Sequence, residues 1–389
     1  MVDTTSCQSQ PVHGRLAPSL QDLKEINSRL IAHEARSGTA SVRCFPSTIL
    51  LSPSQKCNFR CRTCMQSHDQ AELSPQTLKK VEALMPFASI LDFVGGEPLL
   101  LDSFREVIQW GKKYACDMET VTNGVLLDDF WRERFVESLS SVRISVDGAT
   151  PKTYQYVRRH SGLFKVLKNI GELALLKIRR GSATPSIEIN FVAMRANIRE
   201  LPKLVAMAGE LGVDVVKVIY MLAHTEELAM QSLYFMQEES DACMRLALEV
   251  GKRVGVGVKI PGLFADAQAV QETKRRNMCS GPWHFLGIEA DGSTKICCGG
   301  APYFGNLNTQ TFQDIWTGAA LRQLRHTINT PAEPEYCKNC AHGGDNLRRV
   351  GKHILNPDIA NAAAAVFGVK SATPGKAGGM QGSEPLKAV

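Results

Sequence analysis

Short apolar runs rich in β-branched residues recur along the middle of the chain. Between them lie longer stretches in which apolar positions return every three or four residues. The runs are STILLSP at 47–53, SILDFVGGE at 89–97, METVTNG at 118–124, SVRISVDG at 141–148, SIEINFVAM at 186–194 and VDVVKVIYM at 213–221. Their length and composition predict strands, and intervals such as SPQTLKKVEALMPFA and LPKLVAMAGELG predict amphipathic helices. Apolar strands alternating with helices predict parallel β buried on both faces, in a βα-barrel or a doubly wound sheet. Six such units ask for an open or partial barrel.

The flanks have a different texture. Residues 1–46 are polar with one helical pattern, SLQDLKEINSRLIAHEA, and read as a leader packed on the strand-rich region. After Met221 the pattern turns helical, with ESDACMRLALEVGKRVGV the clearest element, and a new unit with its own cysteines begins near Arg275. The expected division is a barrel over 47–250, a second unit over 251–355 and a flexible Ala/Gly/Lys-rich tail over 356–389. No internal repeat is visible.

Composition narrows the class. Of 389 residues, 44% are apolar and 22% charged, the balance of a globular protein, and a net charge of +6 without a dense basic block gives no argument for nucleic acid. The opening MVDTTSCQSQPVHGRLAPSL lacks a basic segment followed by an apolar run, and no run approaches the length of about 18 apolar residues that spans a bilayer. A cytoplasmic location without membrane contact is expected. Twelve cysteines in a reducing compartment point to metal ligation rather than to a disulfide framework.

The cysteines fall into two sets. In SQKCNFRCRTCMQSHDQ, Cys57, Cys61 and Cys64 are spaced C-x3-C-x2-C, one thiol short of a tetrahedral site. Zinc completed by a remote residue such as His68 is one reading. The other is a [4Fe-4S] cube with three irons held and the fourth open to a non-protein ligand. The loop follows the first strand, so it lies at the C-terminal mouth of a barrel, where active sites assemble. Further on, Cys279 is followed by Gly292, Cys297 and the pair Cys337 and Cys340, with Cys298 able to replace its neighbour. Four thiolates suit zinc and an iron-sulfur cluster about equally.

Taken together, C-x3-C-x2-C after a first strand, GGEP after a second, TNG after a third and SVDG after a fourth resemble the radical S-adenosylmethionine (SAM) enzymes, over about Ser47 to Met221. The resemblance implies a partial (β/α)6 TIM-like barrel in which Cys57, Cys61 and Cys64 hold a [4Fe-4S] cluster and SAM chelates the open iron. It implies reductive cleavage of SAM to a 5′-deoxyadenosyl radical that abstracts hydrogen from a substrate. It further implies that Gly95, Gly96 and Glu97 bind the SAM amino group, and that Ser145 and Arg158 meet its carboxylate, Arg159 being equally legible on spacing. Asn123 and Asn190 are candidates for ribose contacts, with turn formation or capping the equal alternative. Asp147 reads as shaping the turn before Gly148. The family usually carries an aromatic or bulky residue before the third cysteine, whereas this chain has Thr63.

The second set, C-x12-G-x4-C and then C-x2-C with GNL and IW between, resembles the C-terminal extension called SPASM in its shortened twitch form, because no cysteine follows Cys340. That implies one auxiliary [4Fe-4S] cluster on Cys279, Cys297, Cys337 and Cys340, as electron acceptor or conduit, with a structural staple as the alternative.

The expected activity is a radical SAM oxidoreductase acting on a sugar or aminocyclitol by dehydrogenation or epimerisation, supplied with electrons by a partner such as flavodoxin or ferredoxin. Only about 45 residues precede the first strand, fewer than the peptide-binding winged helix that many peptide modifiers carry there. A peptide-modifying maturase, of ribosomal peptides or sulfatases, is the alternative, and a zinc-binding interaction protein is the reading from another class. Cys243 is the one candidate hydrogen donor, and His68, His160 and His284 are unranked candidates for a general base. Cys7, Cys44 and Cys116 read as buried small apolar residues.

Overall fold

The computed structural model describes residues 18–269, 278–297, 301–338 and 366. Each of the six predicted runs is a strand: β1 (Thr48–Leu51), β2 (Ile90–Phe93), β3 (Asp117–Thr122), β4 (Ser141–Ser145), β5 (Ser186–Ala193) and β6 (Val215–Tyr220). They pair in sequence order and in parallel, and a seventh strand, β7 (Gly257–Lys259), adds to β6 in the same sense. On the other side β8 (Phe285–Ile288) pairs in parallel with β1, and β9 (Ser293–Lys295) and β10 (Gly305–Asn306) follow antiparallel. Among the described residues the sheet order is β10-β9-β8-β1-β2-β3-β4-β5-β6-β7, ten strands with two edges, so the barrel is open.

The two faces of the sheet differ, which corrects the expectation of strands buried on both faces. On the helix side Ile49, Leu91, Phe93, Met118, Ile144, Ile189, Phe191 and Val216 are fully buried. They pack with Val166, Ile170 and Leu173 of the helix Leu163–Arg179 and Leu204, Val205 and Ala208 of the helix Leu201–Glu210, spaced to share one helical face. The other face carries charge. Arg143 on β4 pairs with Asp92 on β2 and with Glu119 on β3 at 3.5 Å, and Lys259 on β7 reaches Glu188 on β5 at 3.7 Å. Pairs that skip a strand show these side chains converging on the face opposite the helices. The polar face is therefore the barrel lumen, and its long side chains are held there by mutual neutralisation rather than by apolar packing.

The leader is tied to the bottom of this barrel. In the helix Leu20–Ser37, Lys24 Nζ donates to the Ala88 and Ala115 carbonyls at 2.6 and 2.9 Å, just before β2 and β3 begin. Asn27 Nδ2 donates to the Phe45 and Phe87 carbonyls at 3.1 Å. Glu34 accepts from the Arg43 and Cys44 amides. These polar residues are buried because they satisfy loop carbonyls and amides that strand pairing leaves over.

Residues of the expected 251–355 unit join the barrel sheet on both sides, as β7 and as β8. The helix Gln237–Val254 runs through the expected boundary at 250. Trp316 Nε1 donates to the Cys44 carbonyl at 2.7 Å and Trp283 Nε1 to the Thr39 carbonyl at 2.9 Å, anchoring the C-terminal unit to the stretch before β1. The expected flexible tail, apart from Val366, and Cys7 lie outside the described residues.

Candidate active site

β1 leads into the cysteine loop, and Ser54 closes it. The Ser54 hydroxyl donates to the Ala71 carbonyl at 2.7 Å and accepts from the Lys56 amide at 3.2 Å, while Leu73 N donates to the Pro53 carbonyl at 2.7 Å. Cys57, Cys61 and Cys64 are partly exposed on this loop, and the Phe59 amide donates to Cys57 Sγ at 3.4 Å. Burial pushes the Cys61 thiol up to about 11 and moves Cys57 the same way, and each of these two also feels the charge of Cys64. Among the described residues no three His, Cys, Asp or Glu side chains converge into a closed metal set, so the structure shows a shared loop rather than a finished ligand shell.

The end of β2 is zipped to the start of the loop. Gly96 N donates to the Ser54 carbonyl at 2.9 Å and Glu97 N to the Lys56 carbonyl at 2.8 Å. Gly95 has φ +112°, and a Cβ on Gly96 would strike the Lys56 carbonyl, so this approach requires glycine at both positions. The Glu97 carboxylate points into the protein. It accepts from Thr122 Oγ1 at 2.6 Å, Asn123 N at 2.7 Å and Leu99 N at 3.2 Å, and burial raises its pKa against those donors. Asn123 in turn donates from Nδ2 to Asn58 Oδ1 at 2.8 Å and accepts at Oδ1 from Val125 N at 3.0 Å. The GGEP and TNG segments thus hold each other and the cysteine loop together. Both ends of the Asn123 amide are engaged by protein, which favours its turn-forming alternative over the ribose contact.

The far side of the loop rests on the helix Pro151–Arg158. Arg62 N donates to the Val157 carbonyl at 2.9 Å and Arg62 Nε to the Tyr156 carbonyl at 2.8 Å, taking up terminal carbonyls that a helix leaves open. Phe59, 2% exposed, stacks on His160 with ring centroids 4.0 Å apart, and the Arg158 guanidinium lies 5.6 Å from the Phe59 ring. Arg158 Nη1 donates to Asp147 Oδ2 at 3.1 Å, and Asp147 Oδ1 accepts from Val192 N at 2.7 Å. Burial opposes the Arg158 charge, but Asp147, Cys61 and Tyr154 beside it together outweigh that and raise its pKa. Arg158 thus reaches the site, with part of its fork already given to Asp147. Asp147 ties β4 to β5 as well as shaping its turn.

Ser145 and Asn190 stand opposite each other across β4 and β5. Asn190 Oδ1 is buried with no hydrogen-bond partner among the described residues, an acceptor that a ligand hydroxyl would satisfy. His224, beyond the end of β6, has a buried Nδ1 in the same condition. Sequence reading passed over it because a lone histidine in a loop carries no spacing signal. The structure does not bring Cys243 to the cysteine loop. It sits on the helix Gln237–Val254, in the layer packed on the helix Leu201–Glu210, where burial and then Glu239 raise its thiol pKa. His284 is in the C-terminal unit, its Nδ1 2.8 Å from the Ser280 carbonyl, and His68 faces Arg60 on the cysteine loop.

In the second set, Asn329 clamps Cys279, accepting from its amide at 2.8 Å and donating to its carbonyl at 2.9 Å. A Cβ on Gly281 would lie 3.1 Å from the Ile296 carbonyl and 3.6 Å from Cys279 Sγ, which places Cys279 beside the segment leading to Cys297. Burial raises the Tyr336 pKa, with the charges of Cys337 and Cys297 adding to it, so these two cysteines share one neighbour. Cys298 and Cys340 lie outside the described residues. The GNL segment braces a turn, since Asn306 and Asn308 each donate through Nδ2 to the Asp291 carbonyl at 2.8 Å and so fix the chain reversal at Gly292. Thr77 and Lys80, on the helix after the cysteine loop, bond Asn308 Oδ1 and the Leu307 carbonyl, both at 2.5 Å, so a short path joins the two cysteine regions.

An open βα-barrel with three thiols on a loop at its mouth, and further thiols in the unit that extends its sheet, is a framework for metal ligation. Family models make the class specific. The radical SAM superfamily model matches residues 51–231, and the model described as SPASM, an iron-sulfur cluster-binding domain, matches residues 279–341. The chain belongs to the radical SAM superfamily and carries a C-terminal SPASM domain, which sets aside the zinc-binding interaction protein. By sequence it is 24% identical to Molybdenum cofactor biosynthesis protein 1 of Bos taurus over 72% of this chain and 45% of that one. It is 23% identical to the PqqA peptide cyclase of Gluconobacter oxydans over 76% of this chain and 82% of that one. The chain thus spans under half the length of the first of these relatives. In fold it is similar to Streptococcus suis SuiB bound to precursor peptide SuiA, with TM-score 0.60 and 13% identity, covering 88% of this chain and 78% of that one.

A radical SAM domain works with a [4Fe-4S] cluster and SAM, and a SPASM domain with auxiliary iron-sulfur clusters. The residues present fit these groups: three soft thiols on one loop, two glycines that let β2 reach it, and an unpartnered buried acceptor at Asn190.

Proposed function

We propose that this protein is a radical SAM enzyme that modifies a peptide, crosslinking or epimerising its residues. The comparisons do not support the expected sugar or aminocyclitol substrate. The observation that carries the peptide reading is similarity across both domains to peptide-acting proteins: the PqqA peptide cyclase over 76% of this chain by sequence, and SuiB, solved with its precursor peptide, over 88% by fold. A small-molecule cofactor precursor is the second reading, supported by the molybdenum cofactor relative.

When bound, the cluster and SAM together supply a carbon radical that abstracts hydrogen. Cys57, Cys61 and Cys64 would hold that cluster. Gly95 and Gly96 let the backbone approach the SAM amino group, while Glu97 acts from behind by locking the β2 and β3 ends together. Asn190, whose Oδ1 has no hydrogen-bond partner among the described residues, would accept a ribose hydroxyl, and Ser145 with the edge of Arg158 away from Asp147 would receive the carboxylate. Cys279, Cys297, Cys337 and Cys340 would hold an auxiliary cluster, whose chemistry would be that of an electron acceptor or conduit. Oxygen-sensitive thiolate sites with an external electron donor suit a reducing cytoplasm. No helix among the described residues is long and apolar enough to cross a membrane.

The test uses anaerobically reconstituted full-length chain with SAM, dithionite and peptides encoded by short reading frames beside its gene. The expected result is 5′-deoxyadenosine together with a peptide lighter by two hydrogens, or one that takes up solvent deuterium. SAM consumption stimulated only by a sugar, an aminocyclitol or a cofactor precursor would overturn the reading.

A further inference from the structure

Two buried hydrogen-bond donors beside the cysteine loop lack an acceptor. On the helix Pro151–Arg158, Tyr154, Val157 and Arg158 are spaced to share one face. Tyr154 and Val157 are fully buried, and the Arg158 side chain is 12% exposed. Among the described residues neither Tyr154 Oη nor Arg158 Nε has a hydrogen-bond partner. Asp147 does not supply one, since its oxygens already accept from Arg158 Nη1 at 3.1 Å and Val192 N at 2.7 Å. Buried donors are normally satisfied, so this pair marks a place where an acceptor is missing. Arg158 Nε can turn to the neighbouring phenol oxygen, but the phenol then still has its own proton to place.

The loop has the complementary deficit. Phe59 N donates to Cys57 Sγ at 3.4 Å, whereas among the described residues nothing donates to Cys61 Sγ. Cys61, unlike Cys64, packs against the core, where a thiolate is poorly solvated. It adjoins the Tyr154 face of the helix: the next amide, Arg62 N, donates to the Val157 carbonyl at 2.9 Å, and the ring of Phe59, two residues earlier, lies 5.6 Å from the Arg158 guanidinium. Burial pushes the Tyr154 phenol up to about 12, with Arg158 opposing and Asp147 and Cys61 adding to the rise. The phenol therefore keeps a proton to donate, and the Cys61 sulfur is among the charges it feels.

We propose that Tyr154 is a positioning residue that donates a hydrogen bond to the Cys61 thiolate and so makes the mouth cluster easier to reduce. Hydrogen bonds to ligand sulfur stabilise the added negative charge and raise the reduction potential. The inference rests on Cys57, Cys61 and Cys64 as the cluster ligands and is independent of the substrate.

The test is a redox titration of the anaerobically reconstituted full-length chain, read by the electron paramagnetic resonance signal that SAM perturbs. Tyr154→Phe removes one oxygen and keeps the ring. Its reduction should become about tenfold less favourable, about 59 mV for one electron, with iron content unchanged. A ring-fluorinated tyrosine at position 154, a more acidic phenol and a stronger donor, should move the potential the opposite way. Tyr156→Phe removes a phenol from the same helix and should stay within about twofold of wild type. An unchanged potential in Tyr154→Phe, or an equal shift in Tyr156→Phe, overturns the proposal. Should Tyr154→Phe lose iron or unfold, the fluorinated variant decides, because a potential that does not rise there sinks the hydrogen bond. Absence of any SAM-perturbed signal in wild type overturns the ligand assignment along with it.

Discussion

The two cysteine regions are held in opposite ways. The mouth loop is fastened from outside itself: Ser54 and Lys56 bind the β2 end, Asn58 the β3 end, and Arg62 the helix after β4. Its three thiols are left partly exposed, as a site that must admit a ligand requires. The C-terminal set is fastened mainly within its own unit, by Asn329 on Cys279 and by Asn306 and Asn308 on the Gly292 turn, which Thr77 and Lys80 of the barrel brace from outside, and Cys337 is buried. An open site needs a rigid frame because its ligand shell is incomplete, whereas a site fully ligated by protein can rely on its own metal to order it.

The sharpest way to break that contrast is to remove one thiol from each region. Cys57→Ala should abolish SAM cleavage, with a loss of about four irons per chain. Cys279→Ala should lose a similar number yet retain SAM cleavage while losing product. Iron analysis and 5′-deoxyadenosine assay read both, and SAM cleavage surviving in Cys57→Ala would remove the distinction.

Gly96→Ala comes next. Its methyl would meet the Lys56 carbonyl, so the β2 end and the loop must part, at a cost of about 1–3 kcal/mol in thermal or urea unfolding and with loss of SAM binding. A variant of wild-type stability and affinity would show that the zipped backbone is dispensable.

Asn329→Ala removes two hydrogen bonds from Cys279 and should cost about 1–2 kcal/mol. Its signature should be faster loss of the auxiliary iron to a chelator, with the mouth cluster unaffected. The smallest effect is expected for Asn190→Ala, which removes one acceptor at the mouth. It should raise the SAM dissociation constant about tenfold with folding unchanged, in equilibrium dialysis. No change would return the ribose contact to another residue.

Much of the barrel was legible because its physics is periodic. All six predicted strands fall on the runs read from the chain, since short runs rich in β-branched apolar residues and separated by helix-length intervals are a local signal. Cys57, Cys61 and Cys64 were legible for a related reason, since ligands on one short loop must be close in sequence. What escaped was non-local. Asp92, Glu119, Arg143 and Glu188 stand inside the apolar runs with no local partner, and only the pairing of the strands brings Asp92 and Glu119 to Arg143, and Glu188 to Lys259. β8 is four residues long and gave no sign that it would pair with β1, more than two hundred positions away in sequence.

The alternation of strands and helices, the two thiol sets and the glycines that let backbones meet were all settled by the order of residues, because each is a property of near neighbours in the chain. Packing in three dimensions decided that Glu97 faces inward as a brace, that Asn123 is engaged by its neighbours while Asn190 is left unpartnered, and that Arg158 is shared with Asp147. Those outcomes depend on which groups converge after distant segments pack, and a buried polar atom acquires its role only from the partner it finds there.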